Sequence, residues 1–198
     1  MNNYSELIQN TIQESIETKQ KLINDLIPQI SEVANFISDA VKENKLLMFC
    51  GNGGSAADAQ HIVAELVIRF RGNINRRAIK AMALTVDPSI MTAGGNDIGY
   101  DNIFAREVEA YASAGDILIG ISTSGNSPNV KKAIEEAKQR GAKSVALLGG
   151  SGGEIKGMCD YEIIVPSKVT ARVQESHILI GHIICDIIER NLFPEMFE

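Results

Sequence analysis

From Lys45 onward the sequence alternates short apolar runs with amphipathic stretches, and this alternation constrains the fold more than any other feature. The runs typical of β-strands are KLLMFCG, AIKAMALTV, DILIGIS, KSVALLGG and YEIIVP. Between them, apolar residues recur at helical spacing in SAADAQHIVAELVIRF, YDNIFAREVEAYA and SPNVKKAIEEAKQRG. Strands that alternate with helices need crossover connections. We therefore predict an α/β fold with a mostly parallel sheet covered by helices on both faces.

Helical segments flank this alternating region at both ends. Residues 1–44 show apolar positions at helical spacing that Pro28 interrupts, which predicts two helices. Residues 169–193 predict one long, apolar C-terminal helix. We find no repeat or linker, so we predict a single domain over 1–198, with an N-terminal helical segment (1–44) and an α/β core (45–198). The flanking helices carry more apolar surface than one sheet needs, which favours subunit contacts; the alternative is that they pack on their own sheet.

Composition excludes several classes of function. The 198 residues include 19 basic and 25 acidic side chains, a net charge of -6, so there is no broad basic field and nucleic acid is not an expected partner. The three cysteines are widely spaced and odd in number, which fits neither a CxxC zinc motif nor a disulfide framework. The polar start and the charged residues within the apolar stretches predict neither a signal peptide nor a membrane span. We expect a cytoplasmic protein.

Two loops that follow predicted strands have the chemistry of an anion site. In the glycine loop (residues 50–58, CGNGGSAAD), glycines permit close backbone approach and the next helix offers free N–H groups. In the serine loop (residues 122–127, STSGNS), hydroxyl groups can donate hydrogen bonds, Gly125 permits a tight turn, and Ser127 is expected to cap a helix that starts at Pro128. Such donors can hold a phosphate without a cationic side chain. Because ligands collect beyond the carboxyl ends of parallel strands, we predict a phosphate cradle there.

Other interpretations of these loops remain open at this point. Each loop alone is also ordinary strand-to-helix chemistry. A P-loop is disfavoured because no GK[ST] follows the glycines. A dinucleotide site fits Gly51, Gly53 and Ala56 as G-x-G-x-x-A, with Asp87 after the next strand, but it leaves the serine loop unexplained.

The chain has only three histidines, and all lie in predicted helices. His61 and Glu65 are four residues apart and share a helix face, while His177 and His182 lie on the C-terminal helix. Each alone reads as a surface pair or a core histidine. Glu65, however, is flanked by apolar residues on the helix that begins at the glycine loop, which makes it a candidate general base.

A divalent cation is a second interpretation of these residues. His61 and Glu65 could bind it with Gln174 and His182 as further ligands. Eight residues of straight helix rise roughly 12 Å, so Gln174 and His182 would have to lean together or come from a kinked or neighbouring helix.

Four motifs together carry a resemblance to a known family. In order they are CGNGGSAADAQHIVAEL, GGND, GISTSGNSPNV and TARVQESHILIGH, and they resemble the sugar isomerase (SIS) domain and specifically bacterial phosphoheptose isomerases. The resemblance implies a flavodoxin-like three-layer sandwich assembled as a homotetramer, with active sites at subunit interfaces. It implies conversion of sedoheptulose 7-phosphate to D-glycero-D-manno-heptose 7-phosphate, the first step toward nucleotide-activated heptoses of lipopolysaccharide or capsule.

The resemblance also implies roles for individual residues. Glu65 and His182 match the acid/base pair, and no nucleotide cofactor is needed. Phosphate and sugar contacts are implied for Asn52, Gly53, Gly54, Ser55, Glu65, Asn96, Asp97, Ser122, Thr123, Ser124, Ser127 and Gln174. The zinc ligands of some members are matched by His61, Glu65, Gln174 and His182. One departure is Ala171, where some members have an aspartate.

A rival interpretation belongs to another class of protein. Some SIS proteins of this length are tetramers that bind the replication initiator, and the terminal NLFPEMFE resembles that branch. They lack the acid/base residues. Because Glu65 and His182 are both present, the sequence favours the isomerase.

Overall fold

A computed structural model of the chain describes residues 4–197 and contains a parallel five-stranded sheet. The strands are β1 (Leu47–Gly51), β2 (Ala81–Ala83), β3 (Ile117–Ser122), β4 (Lys143–Gly149) and β5 (Tyr161–Val165). Their order is β2-β1-β3-β4-β5, and every neighbouring pair is parallel. The order is flavodoxin-like. The predicted parallel sheet is confirmed.

Helices cover both faces of this sheet. They are α1 (Ser5–Asp25), α2 (Ile27–Lys42), α3 (Gly54–Val67), α4 (Pro88–Asp97), α5 (Ile103–Tyr111), α6 (Pro128–Gln139) and α7 (Thr170–Leu192). Because successive side chains of a strand point to opposite faces, Phe49 packs in one core with α2, α3 and α7, while Met48 packs in the other with α5 and α6. The result is the predicted three-layer α/β sandwich.

Two elements differ from the sequence-based prediction. Helix α4 was not predicted, because none of its residues is fully buried and only Ile90 and Met91 pack against the core, which is too few for a helical period. It begins at a clear cap instead: Asp87 Oδ1 accepts hydrogen bonds from Ser89 N (2.8 Å) and Ile90 N (3.0 Å). Strand β2, predicted over 78–86, is only three residues long.

The two N-terminal helices differ in how they are buried. Helix α2 follows α1 directly, with Pro28 in its first turn, and its apolar face packs on the sheet. Helix α1 instead leaves an apolar stripe exposed (55–61% per residue), which comprises Leu7, Ile8, Ile12, Ile16 and Ile23.

The C-terminal helix α7 lies beside α3 and brings distant residues together. A side chain at Gly181 would overlap Ile62, so the two helices approach closely at this point. Residues 54 and 62 of α3 contact residues 174 and 181 of α7, so the helices run parallel. Within residues 4–197 no helix is both long and apolar enough to cross a membrane.

Candidate active site

The two candidate loops lie at the point where the chain connections of the sheet diverge. Strands β1 and β3 are neighbours, with Gly51 opposite Ile121 at their carboxyl ends. The helix after β1, α3, packs on one face of the sheet, whereas the helix after β3, α6, packs on the other. The glycine and serine loops therefore lie side by side at a topological switch point, the usual ligand position in such folds, and the space between them is called the crevice below.

Hydroxyl groups hold the serine loop in a compact turn. Ser122 Oγ accepts a hydrogen bond from Gly125 N (3.1 Å) and lies 2.9 Å from Ser127 Oγ. Gly125 has a φ of +68°, and a side chain there would overlap the carbonyl oxygen of Gly152. Ser124 Oγ accepts a hydrogen bond from Asn126 N at 3.2 Å. The loop is thus fixed before any ligand arrives.

One detail of the serine loop differs from expectation. Helix α6 begins at Pro128 as predicted, but the Ser127 side chain makes no capping hydrogen bond. Its Oγ lies 2.9 Å from Ser122 Oγ instead. The Ser127 hydroxyl therefore faces the loop interior.

The glycine loop is narrow, and Gln174 lies against it. Gly53 has a φ of +55° immediately before α3. A Cβ at Gly51 would lie 2.8 Å from Ser55 Cβ, and one at Gly54 would lie 2.5 Å from Gln174 Nε2. The structure therefore places Gln174 beside Gly54, so it belongs with the glycine loop in this chain.

Two residues that the sequence analysis did not identify, Asn129 and Tyr100, connect this site through Asn52. Asn52 and Asn129 exchange reciprocal side-chain hydrogen bonds of 2.9 and 2.8 Å, which join the two loops. Tyr100 donates its hydroxyl to Asn52 Oδ1 at 2.9 Å. No periodicity or motif pairs residues so distant in sequence; only the position of Asn129 in the first turn after the serine loop gave a signal.

The GGND residues lie at the end of α4. Asn96 and Asp97 are exposed, and Asn96 Nδ2 donates to Asp97 Oδ1 at 2.7 Å. Tyr100 follows shortly after and contacts the glycine loop, so this segment borders the same crevice. Asp87, the acidic residue of the dinucleotide interpretation, caps α4 through one of its carboxylate oxygens.

A second cluster lies farther along α3. His61 Nε2 is 2.9 Å from His182 Nε2 and 3.4 Å from Glu65 Oε1. One donor atom from each of the three residues falls within 4.8 Å of the others. Partial burial, and then the neighbouring His61, lower the pKa of His182, whereas Glu65 opposes the shift. The structure thus joins three of the four predicted metal ligands, and Gln174 is roughly 12 Å away along α7.

The third histidine is a core residue. His177 is 1% exposed, and its Nε2 lies 2.9 Å from the carbonyl oxygen of Leu148, to which it donates. Burial lowers its pKa to about 4, so the ring is neutral at physiological pH. His177 is therefore a core histidine rather than a member of a surface pair.

A buried ion pair lies beneath the histidine cluster. The side chains of Arg76 and Glu189 are 0% and 1% exposed, and Arg76 Nε donates to Glu189 Oε1 at 2.8 Å. Arg76 also donates to the carbonyl oxygens of Glu65 (2.7 Å) and Leu66 (2.8 Å). It therefore caps the last turn of α3, the turn that carries Glu65. Sequence reasoning missed this pair because arginine and glutamate are ordinarily surface residues.

The loops and the cluster are separated within one chain. Ser55 and Glu65 are ten positions apart on α3, a rise of roughly 15 Å. The backbone N–H of Ile79, just before β2, donates to Leu66 O, so this end of α3 lies near the amino ends of the strands. The Glu65 end of α3 therefore lies near the amino ends of the strands, whereas the glycine and serine loops lie at their carboxyl ends.

Comparisons with known proteins find that the chain is similar to SIS domain proteins, and among them to phosphoheptose isomerases. The SIS domain family matches residues 10–149. Phosphoheptose isomerases of Leptospira biflexa and Clostridium acetobutylicum are both 52% identical, over 94% and 96% of this chain and 96% and 97% of their own length. The solved structure of a phosphoheptose isomerase from Francisella tularensis aligns with a TM-score of 0.91 at 38% identity, covering 96% of this chain and all of that one (100%).

Proposed function

We propose that Glu65 and His182 are the acid/base pair of this enzyme. The chain belongs to the SIS domain family. Its reaction converts sedoheptulose 7-phosphate to D-glycero-D-manno-heptose 7-phosphate. The activity follows from relatives that are 52% identical over nearly the whole chain. The residue assignment rests on one observation: the helix packing brings Glu65 together with His61 and His182.

The reaction moves protons between neighbouring carbons and oxygens and needs no external oxidant. A base removes a proton from carbon 1 of the ketose to give an enediol, and a proton is delivered to carbon 2 to give the aldose. We assign the carbon-bound proton to the Glu65 carboxylate. His182 opens the sugar ring or protonates oxygen, and the close approach of His61 and Phe70 fixes the position of its ring.

The phosphate is assigned to the crevice between the two loops. Hydroxyls of Ser122, Thr123, Ser124 and Ser127 and the backbone of Gly53, Gly54 and Ser55 supply uncharged donors. Asn52, Asn96, Asp97 and Gln174 are assigned to the sugar end, since they border the same crevice. Binding energy gained at the phosphate orients the reacting carbons, which are remote from it.

The histidine cluster also fits a zinc ion. Two imidazole nitrogens and one carboxylate are the donor set of many catalytic zinc sites, and here they converge within 4.8 Å. His61, Glu65 and His182 would hold the ion, and Gln174 could complete the set only from a second copy. A bound zinc ion would polarise oxygens of the sugar. Metal analysis of protein purified without chelator, with activity before and after chelation, tests this; full activity in metal-free protein would remove zinc from the proposal.

We place the complete site between copies of the chain in a homotetramer. Two features support this arrangement. Within one chain, the glycine and serine loops and Glu65 lie at opposite ends of α3. In addition, α1 leaves Leu7, Ile12 and Ile16 more than half exposed. A second copy that covers the stripe could also bring its own loops to Glu65. Sedimentation and light scattering would test the tetramer; a monomer with full activity would contradict it.

The wider setting is also a proposal. We infer that a cytoplasmic enzyme supplies heptose phosphate for lipopolysaccharide or capsule, without a nucleotide cofactor. The comparisons do not favour the alternative of a non-catalytic tetramer that binds the replication initiator, because the close relatives are isomerases.

One experiment tests the activity and the carbon-proton step together. Wild-type protein is incubated with sedoheptulose 7-phosphate in D₂O, and products are followed by NMR. We expect aldose formation with solvent deuterium at carbon 2, because a carboxylic acid exchanges its proton with solvent. Absence of aldose would reject the activity, and aldose formed without any deuterium would argue against an exposed acid/base group.

A further inference from the structure

The amide of Asn129 is buried and its orientation is fixed. Asn129 is 1% exposed and is the second residue of α6. Its Oδ1 accepts a hydrogen bond from Val130 N at 3.0 Å. Because a backbone N–H can only donate, the oxygen of the Asn129 amide must face Val130, and the nitrogen must face Asn52.

This orientation determines the orientation of Asn52 in turn. Asn129 Nδ2 donates to Asn52 Oδ1 (2.8 Å), so Asn52 must present its own nitrogen to Asn129 Oδ1 (2.9 Å). Tyr100 adds a second donor to the same Asn52 oxygen at 2.9 Å. Among the residues 4–197, Asn52 Nδ2 makes this one hydrogen bond, which leaves its second N–H for a ligand.

The amide pair spans the crevice at the point where the chain diverges. Helices α3 and α6 leave the two loops toward opposite faces of the sheet, so nothing in the strand ladder itself sets the distance between the loops beyond Gly51 and Ser122. Both members are uncharged. A carboxylate at either position would repel a bound phosphate, whereas an amide pair joins the loops without adding charge.

We propose that Asn129 is a positioning residue that fixes the Asn52 amide and the spacing between the glycine and serine loops, and so sets the affinity for the sugar phosphate. This inference rests on the phosphate crevice assigned under the proposed function. Asn129 acts through Asn52 and touches neither the phosphate nor the reacting carbons.

A double-mutant cycle tests the proposal. Asn129→Ala, Asn52→Ala and the double variant are assayed for kcat and KM with sedoheptulose 7-phosphate. We expect Asn129→Ala to lower kcat/KM about tenfold, mainly through KM, because the Asn52 amide loses both of the hydrogen bonds to Asn129 that orient it toward the ligand. In the Asn52→Ala background the same change should lower it less than about threefold, because its partner is already absent. Equal effects in both backgrounds would overturn the proposal.

A second variant guards against loss of folding. Asn129→Asp keeps an acceptor for Val130 N and for Asn52 Nδ2, but it replaces the donor with an oxygen that faces Asn52 Oδ1. We expect an unchanged circular dichroism spectrum and weaker binding of inorganic phosphate in calorimetry, by at least about tenfold, and Asn129→Ala, which adds no charge, should weaken phosphate binding as well. A phosphate Kd equal to that of wild type would overturn the proposal.

A matched control and the wild-type assay separate the possible failures. Asn191 is an exposed amide that joins α7 to α2 through Asn35 (3.0 Å) and Ser38 (3.1 Å), and Asn191→Ala should change neither KM nor phosphate Kd. Wild-type turnover tests the proposed function by itself. Phosphate binding in the variants reports on the amide pair whether or not that turnover is found.

Discussion

The two ends of α3 are joined to the rest of the protein by different chemistry. At its first turn, neutral amides connect the glycine loop to α6 through Asn52 and Asn129. At its last turn, the charged pair Arg76 and Glu189 caps the backbone that carries Glu65. One end is exposed to solvent at its glycines, whereas the other is sealed around a fully buried ion pair.

The difference follows from what each end has to hold. Under the proposed function the first end receives a phosphate, which brings its own negative charge and can be bound by uncharged donors. The second end holds the Glu65 side chain beside two histidines, over backbone that Arg76 caps. A buried ion pair is costly to desolvate, but once formed it tolerates loss of neither partner, which makes it a rigid anchor.

Replacement of Glu65 would test the reactive end most severely. Glu65→Gln keeps the shape of the side chain but cannot accept the carbon-bound proton, so kcat should fall by roughly 10²- to 10⁴-fold. Binding of the sugar phosphate, measured by calorimetry, should persist because the loops are untouched. Turnover near the wild-type rate would reject Glu65 as the base. Glu135→Gln, on the exposed face of α6, serves as the control.

Replacement of Arg76 would test the anchor. Arg76→Ala leaves Glu189 buried without its partner and two carbonyl groups of α3 uncapped, so the free energy of unfolding should fall by about 3–5 kcal/mol. Urea denaturation followed by circular dichroism measures this change.

A more exposed ion pair provides the matched comparison. Arg71 and Asp186 are bonded at 2.6 Å with side chains 39% and 25% exposed. Because water screens this pair, Arg71→Ala should lower the free energy of unfolding much less than Arg76→Ala does. Equal losses for the two arginine variants would contradict the contrast drawn between buried and exposed pairs.

Glu107 on α5 shows what happens to a buried carboxylate that lacks a cationic partner. It is 6% exposed, and its Oε2 makes no hydrogen bond within residues 4–197. Burial, and then repulsion from Asp87, raise its pKa from 4.5 to about 7. The folded state therefore favours the protonated form, and this contribution to stability is present below about pH 4.5 and is lost as pH rises through about 7.

Glu107→Gln should remove that pH dependence. Relative to the variant, the wild-type free energy of unfolding should fall by on the order of 1–3 kcal/mol between about pH 5 and pH 8. Urea unfolding at both pH values measures the difference. Parallel pH profiles for the two proteins would show that Glu107 finds a partner or solvent in solution.

Replacement of serine-loop hydroxyls should change catalysis less than replacement of Glu65, because many donors share the phosphate. Ser122→Ala with Ser124→Ala should raise KM for sedoheptulose 7-phosphate about tenfold with little change in kcat, since the hydroxyls act far from the reacting carbons. An unchanged KM would count against the phosphate crevice. Ser113→Ala, an exposed hydroxyl before β3 and so at the far end of that strand from the serine loop, is the matched control.

Much of the fold was predictable because its signals are local. The runs that became β1, β3, β4 and β5 were recognised from a few consecutive residues each, and the order of strands and helices implied the parallel sheet. Helix α4 was missed because only Ile90 and Met91 pack against the core, and two adjacent apolar residues give no helical period. The site was only half predictable: the loops carry turn chemistry, but Asn129, Tyr100 and Arg76 carry none that is distinctive.

By itself the sequence determined the layers, the two loops that end neighbouring strands, and the residue types able to bind phosphate and move protons. Only the tertiary structure decided which side chains meet. His61 and His182 are 121 positions apart, Arg76 and Glu189 are 113 apart, and Asn52 and Asn129 are 77 apart. Local periodicity fixes which face of a helix is buried, but the packing of α3 against α7, and of one loop against another, depends on contacts across the whole chain.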